Sequence, residues 1–277
     1  MADTHTQTHT QINDAVPVLR NDVTALLDVY LKQLNLPTFV QNHARFAQDA
    51  TKANYGFDRF LLALAEHEAV TRDKNRCLRR IHEARFPVIK ELSDFDFTAV
   101  PSLNKALVLE LATRNDYIAK AEPVILVGGP GLGKTHVSIA LALSACRQGK
   151  RVRFYNAATL VNELIAAQDK HQTERFIAGA LKHHLIVLDE LGFIPFTNTG
   201  ANLLFQFCSA LHEHVPLIVN TNLKFADWVQ VLLNETMTAA LLDRLTHRAH
   251  ILEFAGAESY RFKQRTRRST RQEVASP

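Results

Sequence analysis

The sequence predicts an α/β protein in which a five-stranded parallel sheet lies between layers of helices, carries a phosphate-binding loop and follows a small all-α domain. Three observations predict it. The β-branched run Val124-Ile125-Leu126-Val127 leads into the octet Gly128-Gly129-Pro130-Gly131-Leu132-Gly133-Lys134-Thr135, and then into a segment free of Gly and Pro until Gly149. From about residue 102 to residue 254, short apolar runs alternate with helix-period segments, as in a parallel sheet covered on both faces. Before residue 86 the periodicity is helical only.

Taken in order, residues 1–15 are Thr, Gln, His and Asp with almost nothing to bury, the composition of a disordered tail. A helical domain is expected over 16–86. Leu26, Leu27, Tyr30, Leu31 and Leu34 recur at helical spacing until Pro37 ends the stretch. A second helical pattern runs from Phe57 to Ala84. Its first half is apolar, and its second half sets Arg72, Arg76, Arg79 and Arg80 along one face. Arg85-Phe86-Pro87 breaks it, so the α/β domain is assigned to 87–260. Within that domain strands are expected at 123–127, 152–155, 185–188, 216–220 and 249–254. Helices are expected at 102–114, 134–147, 158–168, 173–182, 199–213 and 236–246. A basic tail, 261–277, follows.

Composition narrows the function classes. The chain has 277 residues, 47% hydrophobic and 22% charged, with net charge +4, as in an ordinary soluble protein. Cys77, Cys146 and Cys208 stand far apart in apolar contexts, so reduced core thiols are expected rather than a metal or redox motif. No apolar run reaches membrane-spanning length and the N-terminus lacks a signal-peptide pattern, so a cytoplasmic protein is expected.

The octet fits the template G-x-x-x-x-G-K-[ST] in its required strand–turn–helix context. The glycines let backbone N–H groups approach a polyphosphate, and the helix N-terminus adds partial positive charge. Lys134 is expected to face the β- and γ-phosphates of ATP, and Thr135 to hold Mg²⁺. Such a loop alone suits a kinase, a GTPase or a motor equally well. Leu185-Ile186-Val187-Leu188 narrows the choice, because this buried strand ends in Asp189-Glu190 at the crevice where open α/β sheets bind ligands. Asp189 suits a Mg²⁺ partner and Glu190 an activator of water. A third strand, Leu217-Ile218-Val219, ends in Asn220-Thr221-Asn222, either a γ-phosphate sensor or an Asx turn.

This combination resembles the AAA+ ATPases. More closely it is similar to the IstB family of insertion-sequence transposition helpers, related to DnaC and DnaA. The similar stretches are Ala84-Arg85-Phe86-Pro87, Gly133-Lys134-Thr135-His136, Leu188-Asp189-Glu190-Leu191-Gly192, Asn220-Thr221-Asn222-Leu223 with Phe225, Asp227-Trp228, Leu242-Asp243-Arg244-Leu245 and Ser259-Tyr260-Arg261. The helix expected at 173–182 matches the insertion of that group. Lys224 departs from the pattern, which has proline there. The resemblance implies Lys134, Thr135 and His136 at the nucleotide, Asp189 at Mg²⁺, Glu190 as catalytic base, Asn222 as sensor and Arg244 as a finger reaching a neighbouring subunit. It also implies an ATP-dependent homo-oligomer on duplex DNA that engages a cognate transposase. A helicase loader with the same core, a small-molecule kinase and a non-hydrolysing scaffold remain as alternatives at this point.

Two basic clusters suit phosphate-backbone contact: the face of Arg72, Arg76, Arg79 and Arg80, and the tail with Arg265, Arg267, Arg268 and Arg271. Either could equally be a solvated charge run. No base-reading module is present in the sequence, so DNA binding is expected to be largely indifferent to base order.

Overall fold

A computed structural model describes residues 16–193 and 195–255, with side chains from residue 23 onward. The Arg265, Arg267, Arg268 and Arg271 cluster and the Ser259-Tyr260-Arg261 motif therefore lie outside the described residues. The chain forms two compact units, residues 1–76 and 77–277.

The first unit holds α1 (Val16–Gln33), α2 (Pro37–Lys52) and the first part of α3 (Phe57–Ala84). Helix α2 is absent from the sequence expectation, which reads Pro37 only as a stop. Pro37 sits at the start of α2, where its missing N–H and fixed φ cost nothing, so one residue closes a stretch and opens the next. The Glu68 carboxylate accepts from the Thr38 N–H at 3.0 Å and from Arg72 Nε at 2.5 Å, tying α2 to α3.

The second unit starts at Cys77, inside α3, ten residues ahead of the boundary expected from the Phe86-Pro87 break. The reason is packing: the last turns of α3 carry Ala84, fully buried, and Ile81 into the core of this unit. Helix α4 (Lys105–Arg114) and the single turn α5 (Asp116–Ala119) then lead to the sheet. The strands are β1 (Val124–Gly128), β2 (Val152–Asn156), β3 (Leu185–Leu191), β4 (Leu217–Thr221) and β5 (His250–Phe254), all parallel in the order β2-β3-β4-β1-β5. Between them run α6 (Lys134–Arg147), α7 (Ala157–Asp169), α8 (Thr173–Ala180), α9 (Asn198–Leu211), α10 (Val229–Leu232) and α11 (Glu235–Thr246).

The strands read as continuous apolar runs because both faces are covered. Alternate residues part to opposite sides. Val124, Leu126, Leu185, Val187 and Ile218 pack with α4 and α6, while Ile125, Ile186, Leu188, Leu217 and Val219 pack with α7, α9 and α11. Helix α6 is the most enclosed, with Val137, Ile139, Leu141, Ala142 and Ala145 fully buried. Cys146 and Cys208 are buried free thiols, each pushed up to about 12 by burial, and Cys77 is half-buried. Among the described residues no helix is long and apolar enough to cross a membrane.

Candidate active site

At the carboxyl ends of β1, β3 and β4 the start of α6 meets two polar side chains, Asp189 and Asn220. The turn between β1 and α6 requires glycine at two points. Gly128 has φ +150°, and a Cβ there would lie 2.1 Å from the Phe254 carbonyl oxygen at the end of β5. Gly133 has φ +95°, and a Cβ there would meet the Phe95 ring at 2.6 Å. A cradle this close to its walls leaves its concave side to backbone N–H groups. Gly129, Gly131 and the exposed Pro130 complete the turn, and buried Leu132 pins it to the core. Lys134, 7% exposed, folds back so that Nζ donates to the carbonyls of Gly128 at 2.6 Å and Gly129 at 2.7 Å.

The Thr135 hydroxyl donates to Asp189 Oδ1 at 3.1 Å. Asn220 Nδ2 donates to the same oxygen at 2.7 Å and to Ser138 Oγ at 2.8 Å, while the Ser138 hydroxyl donates to the Thr135 carbonyl at 3.1 Å. One buried network thus joins α6, β3 and β4. Burial pushes the Asp189 carboxyl above its ordinary value, against the hydrogen bonds from Asn220 and Thr135. A hydroxyl and a carboxylate so placed are hard oxygen ligands suited to Mg²⁺. Among the described residues no group of three or more His, Cys, Asp and Glu could hold a metal. The donor set therefore fits a cation that takes its remaining ligands from phosphate and water.

Strand β3 runs three residues past the expected end, and a bulge between Leu188 and Leu191 shifts its register against β4. Glu190 occupies that bulge with φ +61°, a left-handed conformation costing about 1–3 kcal/mol. The bulge turns Glu190 outward, away from buried Asp189. Asn156, at the end of β2, donates from Nδ2 to Glu190 Oε2 at 2.7 Å. The same side chain caps α7, its Oδ1 accepting from the Ala158 N–H at 3.0 Å and the Thr159 N–H at 3.4 Å.

Sequence reading misses Asn156 and Ser138. Asn156 does carry a signal: an N-cap residue directly after the strand adjoining β3. Asn222 lies one residue beyond β4, half-buried, and its side chain makes no hydrogen bond among the described residues, whereas Asn220 reaches Asp189. His136 Nε2 pairs with the Glu91 carbonyl oxygen at 2.7 Å, and its ring stands edge-on to Phe95. A small recess beside them is lined by Phe95, Ala99, Val100 and Leu132 and also by Asp94 and Asp96. Arg244, on α11, donates to the Ala240 carbonyl at 3.3 Å with its guanidinium 5.1 Å from the centre of the Phe205 ring. Of the four α3 arginines, Arg72 is held by Glu68 and by the Asn35 carbonyl, and Arg76 by Asp73. Arg79 is exposed and Arg80 half-buried.

A family model described as IstB-like ATP binding protein fits residues 29–268. An insertion-sequence ATP-binding protein of Sinorhizobium fredii is 36% identical over 86% of this chain and 79% of its own length. The ATP-binding protein of insertion sequence IS21 from Pseudomonas aeruginosa is 32% identical, covering 86% and 89%. That of IS5376 from Geobacillus stearothermophilus is 31% identical, covering 85% and 93%. Among solved structures, AMPPCP-bound DnaA from Aquifex aeolicus superposes with a TM-score of 0.51 at 18% identity, covering 67% of this chain and 56% of that one. DnaI gives 0.50 at 18% identity, covering 60% and 91%. The core has the AAA+ P-loop fold, and the chain belongs to the family of IstB-like ATP-binding proteins.

Proposed function

We propose that this protein is a Mg²⁺-dependent ATPase that assembles as a homo-oligomer on duplex DNA and there recruits or activates the transposase of its insertion sequence. The observation that carries the enzymatic part is the division of labour between adjacent carboxylates. Asp189 is buried and bonded to Thr135, as a metal partner should be, while Glu190 is turned out by a bulge and steadied through one oxygen by Asn156. That arrangement leaves Glu190 Oε1 to take a proton from water. Lys134 gives up the loop carbonyls to bind the terminal phosphates, and the glycine turn supplies N–H donors. The recess beside Phe95 and His136 receives the edge of the base. Thr135 and Asp189 would hold Mg²⁺, which would supply charge neutralisation. Asn222 senses the γ-phosphate, and Arg244 completes the site of a neighbouring subunit. The insertion-sequence names of the relatives support a role in transposition, and the exposed arginines support contact with DNA phosphates.

Steady-state hydrolysis with and without duplex DNA tests the reading. Lys134→Ala is expected to abolish tight ATP binding. Glu190→Gln is expected to bind ATP and lose about 10²-fold or more in turnover. Turnover of Glu190→Gln within about threefold of wild type would sink the assignment of the base. Capture of the cognate transposase by protein bound to ATP and DNA, and not by Lys134→Ala, tests the partner.

A further inference from the structure

Strand β2 is one edge of the sheet, and α8 lies alongside it. Between them is a groove of about 390 Å³, lined by Arg153, Tyr155, Gln172, Arg175, Phe176 and His183 among others, with no carboxylate among its lining residues. Arg153 projects from β2 with its guanidinium 5.1 Å from the centre of the Tyr155 ring, and its Nε is buried without a hydrogen-bond partner. Arg175 stands exposed on α8.

The positive charge continues past the groove. The backbone N–H of Arg151 donates to His184 Nδ1 at 2.8 Å, and the His184 N–H donates to the Arg151 carbonyl at 2.8 Å, so these neighbours are locked together. Burial first, and then the surrounding Arg151, Lys150, His183 and Arg80, hold His184 below its ordinary value; burial, with Arg153 and Arg151, does the same for His183. Arg80, the last of the α3 arginines, therefore stands within electrostatic reach of this edge. Among the described residues no carboxylate pairs with Lys150, Arg151, Arg153 or Arg175. Arg72 and Arg76, by contrast, are already neutralised by partners of their own. Arg153 Nη1 donates to the Glu83 carbonyl at 3.3 Å, a neutral partner that leaves its charge uncompensated, and cations without carboxylates beside a hollow are an arrangement that an anion relieves.

We propose that this basic edge, centred on the groove between β2 and α8 and extending through Arg151 and Lys150 to Arg80, is a seat for the backbone phosphates of DNA. The proposal rests on the DNA-binding part of the reading above and names the surface that carries it. Arg153 and Arg175 clasp a phosphate at the groove, and Arg151, Lys150 and Arg80 follow the strand along the sheet edge. Charge alone does the work, so the contact is blind to base order.

The test measures affinity of the full chain for a duplex oligonucleotide, with ATP, across a series of salt concentrations. The double variant Arg151→Gln/Arg175→Gln is expected to bind about tenfold or more weakly near 0.1 M salt. Its log Kd against log salt should be shallower by about two, one unit for each phosphate left without its arginine. The charge-conserving pair Arg151→Lys/Arg175→Lys should restore the wild-type slope, which a merely folding defect would not allow. A steep wild-type slope left unchanged in the Gln pair overturns the groove while leaving DNA binding intact. Absence of salt-dependent binding by wild type overturns the DNA reading itself. A second arm separates DNA from a free phosphate ligand: Lys134→Ala protein is dialysed against inorganic pyrophosphate. Retention that disappears when the Gln pair is added, while duplex affinity and salt slope of the Gln pair stay those of wild type, identifies a small phosphate compound as the occupant and overturns the DNA assignment.

Discussion

At Asp189, solvation and chemistry pull in opposite directions. A carboxylate taken out of water is costly, and its folded-state value is raised above the ordinary 3.8. The sign follows directly: the folded state holds the proton more tightly than the unfolded one, so stability is highest where Asp189 is protonated and falls as pH rises through the raised value. Asp189→Asn keeps an oxygen for Thr135 and Asn220 and removes the charge. It should therefore melt higher than wild type in Mg²⁺-free buffer, with a gap that opens as pH rises through the carboxylate range and closes below about pH 4. Thermal melts at several pH values check this, and a gap independent of pH would show that charge burial is not the cause. Asn220 sits on the other side of the same bond. A polar residue at the end of an apolar strand is visible in the sequence, but Asn220 and Asn222 share the parity of the pleat, and which one reaches β3 depends on where the strand ends, at Thr221, which no local pattern fixes. Lys224, where the family pattern has proline, adopts φ −68°, the angle a proline ring imposes, so the loop follows the same path.

On the scale of single elements, β3 and α7 are coupled through one amide. Asn156 ends β2, caps α7 and holds Glu190, so the position of the proposed base depends on a helix start at the end of the neighbouring strand. Asn156→Ser isolates the last of these tasks, because serine still caps a helix but does not reach Glu190. The variant should melt close to wild type yet turn over ATP roughly 10- to 10²-fold more slowly at unchanged KM, the scale of a misplaced catalytic group. Turnover equal to wild type would mean Glu190 holds its position alone. The strands and most helices of the second unit are legible in the sequence because each is apolar through and through or carries a clear period. Helix α2 is not. Its less exposed residues, Phe39, His43, Phe46 and Ala50, do recur at helical spacing, but a proline read only as a stop hides the helix that starts at it. The bulge in β3 is equally invisible, because two acidic residues after an apolar run look the same whether the strand stops or kinks.

Across the molecule, the proposed assembly turns on one arginine. Arg244 rests over Phe205 on its own subunit, and nothing in its own neighbourhood assigns it a partner phosphate. If it acts in trans, Arg244→Ala should bind ATP and fail to raise hydrolysis with DNA, by a factor on the order of 10³. Mixing Arg244→Ala with Glu190→Gln subunits should restore part of the activity, since some interfaces then pair an intact base with an intact arginine. Normal hydrolysis by Arg244→Ala alone, with no gain on mixing, would remove it from the site. The sequence places the unit boundary at a proline, but the structure divides the chain inside a continuous helix. Helix periodicity carries straight through that point, and only the change in packing partners marks it.

The close contact between Gly128 and the Phe254 carbonyl changes what the loop signature means. In a library of variants screened for folding alone, with no nucleotide present, Gly128 would still resist replacement, because its missing Cβ makes room for the end of β5. Gly129, whose Cβ would meet only a Leu132 methyl at an ordinary 3.7 Å, would drift. A pattern commonly used as the fingerprint of nucleotide binding is thus, at its first position, also a fingerprint of how the sheet closes. A descendant that had lost ATP altogether would be expected to keep that glycine.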